Sequence, residues 1–201
     1  MPFIKTISYA AADKVLKKLY DRVTGPDNNI DNIMMIHSLR PHTMVGHMSL
    51  YKNTLHHSNN TLPKWFLETI GIYVSILNNC SYCVEHHYEG LKRLLADDDR
   101  AKVIKKKLIT NSFETLFDTN YFLVLRYAEI LTREPDKVSE NQINELKKSG
   151  LDDGQILEVN QVISYFNYAN RTVLGLGVNV KGDILGLSPN DSDDEKNWNH
   201  K

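Results

Sequence analysis

The fold of this protein is decided by residues 63–95, which read PKWFLETIGIYVSILNNCSYCVEHHYEGLKRLL. Pro63 suits the first turn of a helix, where its missing N–H costs no hydrogen bond. The residues after it are apolar almost all round a helix, which is typical of an element at the centre of a bundle. Asn78 and Asn79 interrupt this pattern because short amides favour caps and turns. A second helix, with one apolar face, is predicted over 81–95.

The rest of the chain also repeats apolar residues at helical spacing, and alternating strand patterns are hard to find. We therefore predict an all-α fold. A capping box formed by Ser139 and Gln142 opens one of the helices, and Gly150 ends it. The other helices are predicted from a cap at Ser8 to the turn residues at Thr24, from Asp31 to Ser38, from Pro41 to about 55, and at about 101–110, 114–132 and 152–176.

Length and composition favour a single domain with a substantial core, since 201 residues include 41% apolar and 24% charged side chains. The 24 basic and 25 acidic residues nearly cancel, which gives no broad electrostatic footprint for nucleic acid or an anionic membrane. Residues 1–12 lack the pattern of a signal peptide, and no apolar run is long enough for a membrane span. We expect a cytoplasmic domain over 1–187 and an acidic, flexible tail over 188–201.

The chain has two cysteines, Cys80 and Cys83. A secreted disulfide framework uses several bridges between distant segments, so this pair excludes one. On a helix, Cys80, Cys83 and His87 lie within about 60° of one another on one face. A thiol reacts as its thiolate, whose pKa falls near a helix N-terminus, a protonated histidine or a second cysteine. A thiolate reduces a peroxide by becoming a sulfenic acid, which a second thiol converts to a disulfide.

Glu68 lies twelve residues before Cys80 in an otherwise apolar stretch, where a carboxylate is normally avoided or paired. Burial raises the pKa of a carboxyl group. Together with His87, Glu68 is therefore a candidate for moving protons to and from the cysteines and a leaving hydroxide or alkoxide.

The pattern Glu68-x11-Cys80-x-x-Cys83-x-x-x-His87 resembles the active-site signature of the alkylhydroperoxidase D-like and carboxymuconolactone decarboxylase superfamily. The Cys-x-x-Cys pair is similar to that of its peroxidases. A wider likeness to the peroxidase-related subgroup spans roughly 36–178 and is carried by residues 36–41, 126–133, 150–153 and 166–171.

The resemblance implies an alkylhydroperoxidase D-like helical bundle that forms homo-oligomers and needs no bound cofactor. It implies that Cys83 attacks a hydroperoxide, that Cys80 resolves the sulfenic acid, and that an external dithiol, on a lipoyl-bearing or thioredoxin-like protein, reduces the disulfide. Electrostatics at the helix end favour Cys80 as the more acidic thiol. The best-known members carry a histidine where this chain has Tyr82, and His86 is a candidate replacement although it lies about 100° around the helix from His87.

Other interpretations of these residues remain open. Cys80, Cys83 and His87, with Glu68 or His86, would suit a zinc site. The same fold could instead support a decarboxylase or isomerase acting on a lactone-type substrate, or a redox sensor without turnover. The remaining residues of interest have a structural role at least as readily as a functional one, and they are His37, His42, His47, His56, His57, Asn167, Asn170 and Arg171.

Overall fold

A computed structural model describes residues 2–189 and 198–200. Over these ranges the chain is helical, and its one β-type contact is an isolated bridge between Pro189 and His200. The predicted all-α fold is confirmed. None of the helices in the two ranges has the length and apolar character needed to cross a lipid bilayer. The helices are α1 Lys14–Val23, α2 Asn32–Met35, α3 Pro41–Tyr51, α4 Lys64–Leu77, α5 Ser81–Leu95, α6 Asp98–Ile109, α7 Thr119–Arg133, α8 Glu140–Lys148 and α9 Asp153–Leu176.

Helix α4 is the central element, as its apolar sequence predicts. Every residue from 66 to 75 is buried, including Glu68. The helix packs against α5, α6, α7 and α9. A carboxylate on this helix is therefore held inside the bundle and reaches only what the neighbouring helices present to it.

The turn between α4 and α5 brings the cysteines to a helix N-terminus. Asn78 closes α4, and Asn79 has a left-handed backbone with φ of 56°. Asparagine tolerates this conformation better than most residues do. The chain reverses at once, and Cys80 becomes the N-cap of α5.

Several helix boundaries differ from the prediction: α2 ends at Met35 rather than Ser38, and α6 begins at Asp98 rather than at about 101. Helix α1 begins at Lys14 rather than near Ser8, because the Asp13 side chain accepts hydrogen bonds from the N–H groups of Val15 and Leu16. Helix α7 begins at Thr119 rather than at 114, because the preceding residues form a turn closed by the Leu116 N–H on the Phe113 carbonyl. The capping box of α8 is present as predicted, and α9 begins with a second one.

After Gly177 ends α9 with φ of 65°, the chain runs back over the bundle. We call residues 178–189 the C-terminal strap. The prediction of a flexible tail falls mainly on 190–197 and 201, outside the described residues. Within the described part of the tail, Trp198 and His200 are buried, and the guanidinium of Arg22 lies 3.5 Å from the centre of the Trp198 ring.

Candidate active site

The two cysteines are buried side by side at the start of α5. Both are free thiols, Cys80 is fully buried and Cys83 is 3% exposed. The two residues come within 3.3 Å of each other. This separation allows one thiol to hydrogen-bond to the other, and it places a second sulfur beside any sulfenic acid that forms on the first.

The shared hydrogen bond makes the two thiols unequal. The Cys83 thiol donates to the Cys80 sulfur, which lowers the pKa of Cys80, and the Cys83 backbone N–H lowers it further. The same hydrogen bond, together with burial, raises the pKa of Cys83 well above its usual value. Cys80 is therefore the more acidic thiol, as helix-end electrostatics predict.

Asn170 of α9 lies behind the cysteines and is fully buried. Its side-chain amide donates to the hydroxyl of Ser75 at 3.1 Å, and its carbonyl oxygen accepts from the amide of Asn78 at 3.0 Å. A hydrogen bond from Asn170 to Cys83 lowers the pKa of that thiol, against the larger effects that raise it. The residue ties α4, α5 and α9 together at the cysteines.

Glu68 and His87 meet directly across α4 and α5. The Oε2 atom of Glu68 lies 2.7 Å from Nδ1 of His87, and the carboxylate side chain is only 4% exposed. Two rings hold the imidazole in place through edge contacts, that of Phe166 at a centroid distance of 4.5 Å and that of Tyr51 at 6.2 Å. The structure thus brings together the carboxylate and the histidine that the sequence singled out.

A cavity of about 40 Å³ opens between these groups. Cys83, Glu68 and His87 line it, whereas Cys80 does not. The less acidic thiol therefore faces the cavity, and the more acidic thiol does not.

Tyr82 and His86 line the same cavity as Cys83, and both contact a carboxylate on the C-terminal strap. The Tyr82 hydroxyl donates to Oδ2 of Asp183 at 2.7 Å, and Nε2 of His86 lies 3.2 Å from the same oxygen. These contacts hold the strap against α5. A relay role for His86 stays a prediction.

Several buried aromatic residues near the cavity carried no signal in the sequence. His47, Tyr51 and Tyr165 all line it, with the two tyrosine rings stacked at 5.3 Å. Burial lowers the pKa of His47 to about 3, so its imidazole is neutral. His56 lies 4.0 Å from Glu68 on a π-helical turn at Lys52–His56. Their positions depend on how α3 crosses α9, which no local pattern reveals.

A metal site built from clustered ligands is not found at these residues. Within 2–189 and 198–200, no three His, Cys, Asp or Glu side chains are grouped as the ligands of a metal ion are.

No protein-family model matches this sequence, and no curated protein sequence matches it either. Solved structures do match. An uncharacterized peroxidase-related protein from Ralstonia eutropha JMP134, described as an alkylhydroperoxidase AhpD core, superposes with a TM-score of 0.74 at 18% identity, over 92% of this chain and 96% of that one. An uncharacterized peroxidase-related protein from Silicibacter sp. TM1040 gives 0.70 at 19% identity, over 90% and 91% of the two chains.

A third match has a different activity in its description. A variant of the debrominase Bmp8 in complex with 2,3,4-tribromopyrrole gives a TM-score of 0.69 at 13% identity, over 88% of this chain and 90% of that one. One fold can host several chemistries, so the likeness to these structures shows the fold of this chain and not its activity. The chain has the alkylhydroperoxidase D-like fold.

Proposed function

We propose that this protein is a thiol-dependent hydroperoxide reductase that uses Cys83, Cys80, His87 and Glu68. The observation that supports it best is the cysteine pair itself, in which one thiol faces a small cavity and a second, more acidic one lies within 3.3 Å of it. The Glu68–His87 hydrogen bond of 2.7 Å at the same cavity supplies a proton donor for a leaving group.

The first step in this proposal is attack by Cys83. The Cys83 proton passes to the Cys80 thiolate, to which it is already hydrogen-bonded. The Cys83 sulfur then bonds to one peroxide oxygen while the O–O bond breaks, which gives a sulfenic acid. The second oxygen leaves as hydroxide or alkoxide and takes a proton from the Glu68–His87 pair. Transfer of this proton to the more acidic Cys80 is unfavourable by itself, so in this proposal it is coupled to formation of the sulfur–oxygen bond.

The second step forms the disulfide. The Cys80 sulfur attacks Cys83, the S–O bond breaks, and the departing hydroxide takes the Cys80 proton to leave as water. Two thiols are oxidised to one disulfide, and the peroxide is reduced to water plus water or an alcohol. An external dithiol, on a lipoyl-bearing or thioredoxin-like protein, restores the thiols, and no bound cofactor is required. We propose a cytoplasmic, homo-oligomeric enzyme.

Mass spectrometry of the full chain after one equivalent of hydrogen peroxide tests the proposal. We expect a loss of two hydrogens, with a disulfide between Cys80 and Cys83, and turnover when dihydrolipoamide is supplied. Cys83→Ser abolishes both. Free thiols that persist under these conditions contradict the mechanism, and a Cys83→Ser variant that still converts a lactone substrate would favour a decarboxylase or isomerase.

A further inference from the structure

Part of the cavity wall comes from the C-terminal part of the chain. Gly186, Leu187 and Ser188 of the strap line it together with His200. These residues lie about 100 positions beyond Cys83 in the sequence. A molecule bound beside Cys83 in this cavity therefore also meets the strap.

Two features hold the strap against the bundle. The Asp183 carboxylate is 1% exposed and accepts hydrogen bonds from the Tyr82 hydroxyl and, at 3.1 and 3.2 Å, from the backbone N–H of Asn32. Gly186 has φ of 77°, and a Cβ atom there would lie 2.7–2.9 Å from atoms of Glu89 and Gly90. Only glycine allows the strap backbone to lie this close to α5, and the close fit leaves little room to widen the cavity.

The space under the strap is small. A cavity of about 150 Å³ is large enough to bind benzene. This cavity is about 40 Å³, which suits a molecule as small as hydrogen peroxide better than a peroxide that carries a phenyl or tert-butyl group. Leu187 is the largest side chain that the strap contributes to the lining.

The polar groups of the cavity suit a molecule that is polar at both ends. Nδ1 of His47 and Nδ1 of His200 are buried and have no hydrogen-bond partner among the described residues. Both residues line the cavity. Each neutral ring nitrogen can donate or accept one hydrogen bond. Hydrogen peroxide has a hydroxyl at each end to pair with them, whereas an alkyl hydroperoxide has only one.

We infer that the C-terminal strap is the specificity element of this enzyme, with Leu187 as its size-determining residue, and that hydrogen peroxide is the preferred substrate. The inference rests on the proposed peroxidase activity. Asp183 and Gly186 position the strap, and the histidine nitrogens receive the two ends of the substrate.

Steady-state kinetics test this inference about the strap. Hydrogen peroxide and cumene hydroperoxide are compared as substrates, with dihydrolipoamide as reductant. We expect kcat/KM of the native chain to be at least about tenfold higher for hydrogen peroxide. Leu187→Ala should raise the ratio of kcat/KM for cumene hydroperoxide to that for hydrogen peroxide about tenfold, because removal of a few methyl and methylene groups from a pocket changes selectivity on this scale. Leu187→Val, which disturbs the strap less, should give a smaller change in the same direction.

Leu157→Ala is the matched control, since Leu157 is 60% exposed on α9 and does not line the cavity. We expect it to leave the ratio unchanged. A ratio that is equally unchanged in both Leu187 variants, with circular dichroism showing native helix content, overturns the inference while peroxidase activity stands. Absence of turnover with either peroxide in the native chain overturns the proposed function itself.

Discussion

Cys80 and Cys83 differ in their chemistry although two residues separate them. The hydrogen bond between them lowers the pKa of Cys80 and raises that of Cys83. The thiol that faces the cavity is thus not the more acidic one, because Cys83 lines the cavity and Cys80 does not. The assignment of attack to Cys83, which the resemblance implies, is compatible with a more acidic Cys80 if Cys80 first takes the Cys83 proton.

Cys83→Ala should raise the pKa of Cys80, because the variant removes the S–H donor that stabilises the Cys80 thiolate while burial still disfavours the charge. Cys80→Ala should lower the pKa of Cys83, since the hydrogen bond to Cys80 is the largest cause that raises it. Thiolate absorbance near 240 nm, followed against pH, measures both. Titration of Cys80 at the same pH with and without Cys83 would contradict this account of the pair.

Asn170 shows how one buried polar side chain joins three helices. We expect Asn170→Ala to lower the free energy of unfolding by about 1–3 kcal/mol, because Ser75 loses a hydrogen-bond partner in a buried site. The same change should raise the pKa of Cys83 further. Urea denaturation and thiolate absorbance measure the two effects. Asn141→Ala, at an exposed position of α8, is the control and should change neither.

At the scale of elements, the site depends on how closely α4 and α9 approach. An ideal Cβ atom on Gly71 would lie 2.1 Å from Cζ of Phe166, so the ring packs directly on the glycine backbone. The same ring supports His87 through an edge contact at 4.5 Å. Because Gly71 of α4 has no side chain, Phe166 can pack where it supports the imidazole of His87 on α5.

Gly71→Ala should therefore destabilise the protein by about 1–3 kcal/mol through overpacking, and reduce kcat because Phe166 moves against His87. Gly46→Ala is the matched control on α3, where an added Cβ meets nothing within 4 Å. At this position the substitution should stabilise the protein by about 0.5–1 kcal/mol, because alanine is favoured over glycine within a helix. Thermal denaturation distinguishes the expected loss of stability in Gly71→Ala from the expected gain in Gly46→Ala. Partial recovery of Gly71→Ala by Phe166→Leu would show that the ring is the cause.

At the scale of the whole molecule, buried histidines link folding to pH. Burial lowers the pKa of His47 to about 3 and that of His200 to about 4, below the ordinary value of 6.5. The unfolded chain therefore binds protons that the folded chain excludes, and stability falls as the pH drops below about 6.5. Asp31 acts in the opposite sense, because burial raises its pKa to about 6 and its protonation favours the folded state.

Between about pH 6.5 and pH 5, each of the two histidines should reduce the free energy of unfolding by about 2 kcal/mol, and Asp31 should offset less than half of the total. Urea denaturation at several pH values measures the slope. His47→Gln should make the free energy of unfolding fall less steeply as the pH drops. His42→Gln, at an exposed position, should leave this slope unchanged. An equal slope in all three proteins would exclude His47 as a cause.

Local patterns predicted most of the helices because their signals lie within a few residues of each boundary. The helix over 81–95 has the predicted bounds, and the capping box at Ser139 is present. Ser8 failed as a cap because Asp13, nearer the apolar repeat, accepts the N–H groups instead. Glu68 and His87 were singled out as a proton-transfer pair, and the structure places them in contact. Their catalytic role remains a prediction.

The sequence by itself determined the helical class, the break between α4 and α5, and the common face of Cys80, Cys83 and His87, since these follow from helix geometry over short distances. Only the tertiary structure decided which thiol faces the cavity, that Tyr82 and His86 bind Asp183, and that the C-terminal strap lines the cavity. Those contacts join residues about 100 positions apart, and their partners are selected by packing, which no periodicity in the chain encodes.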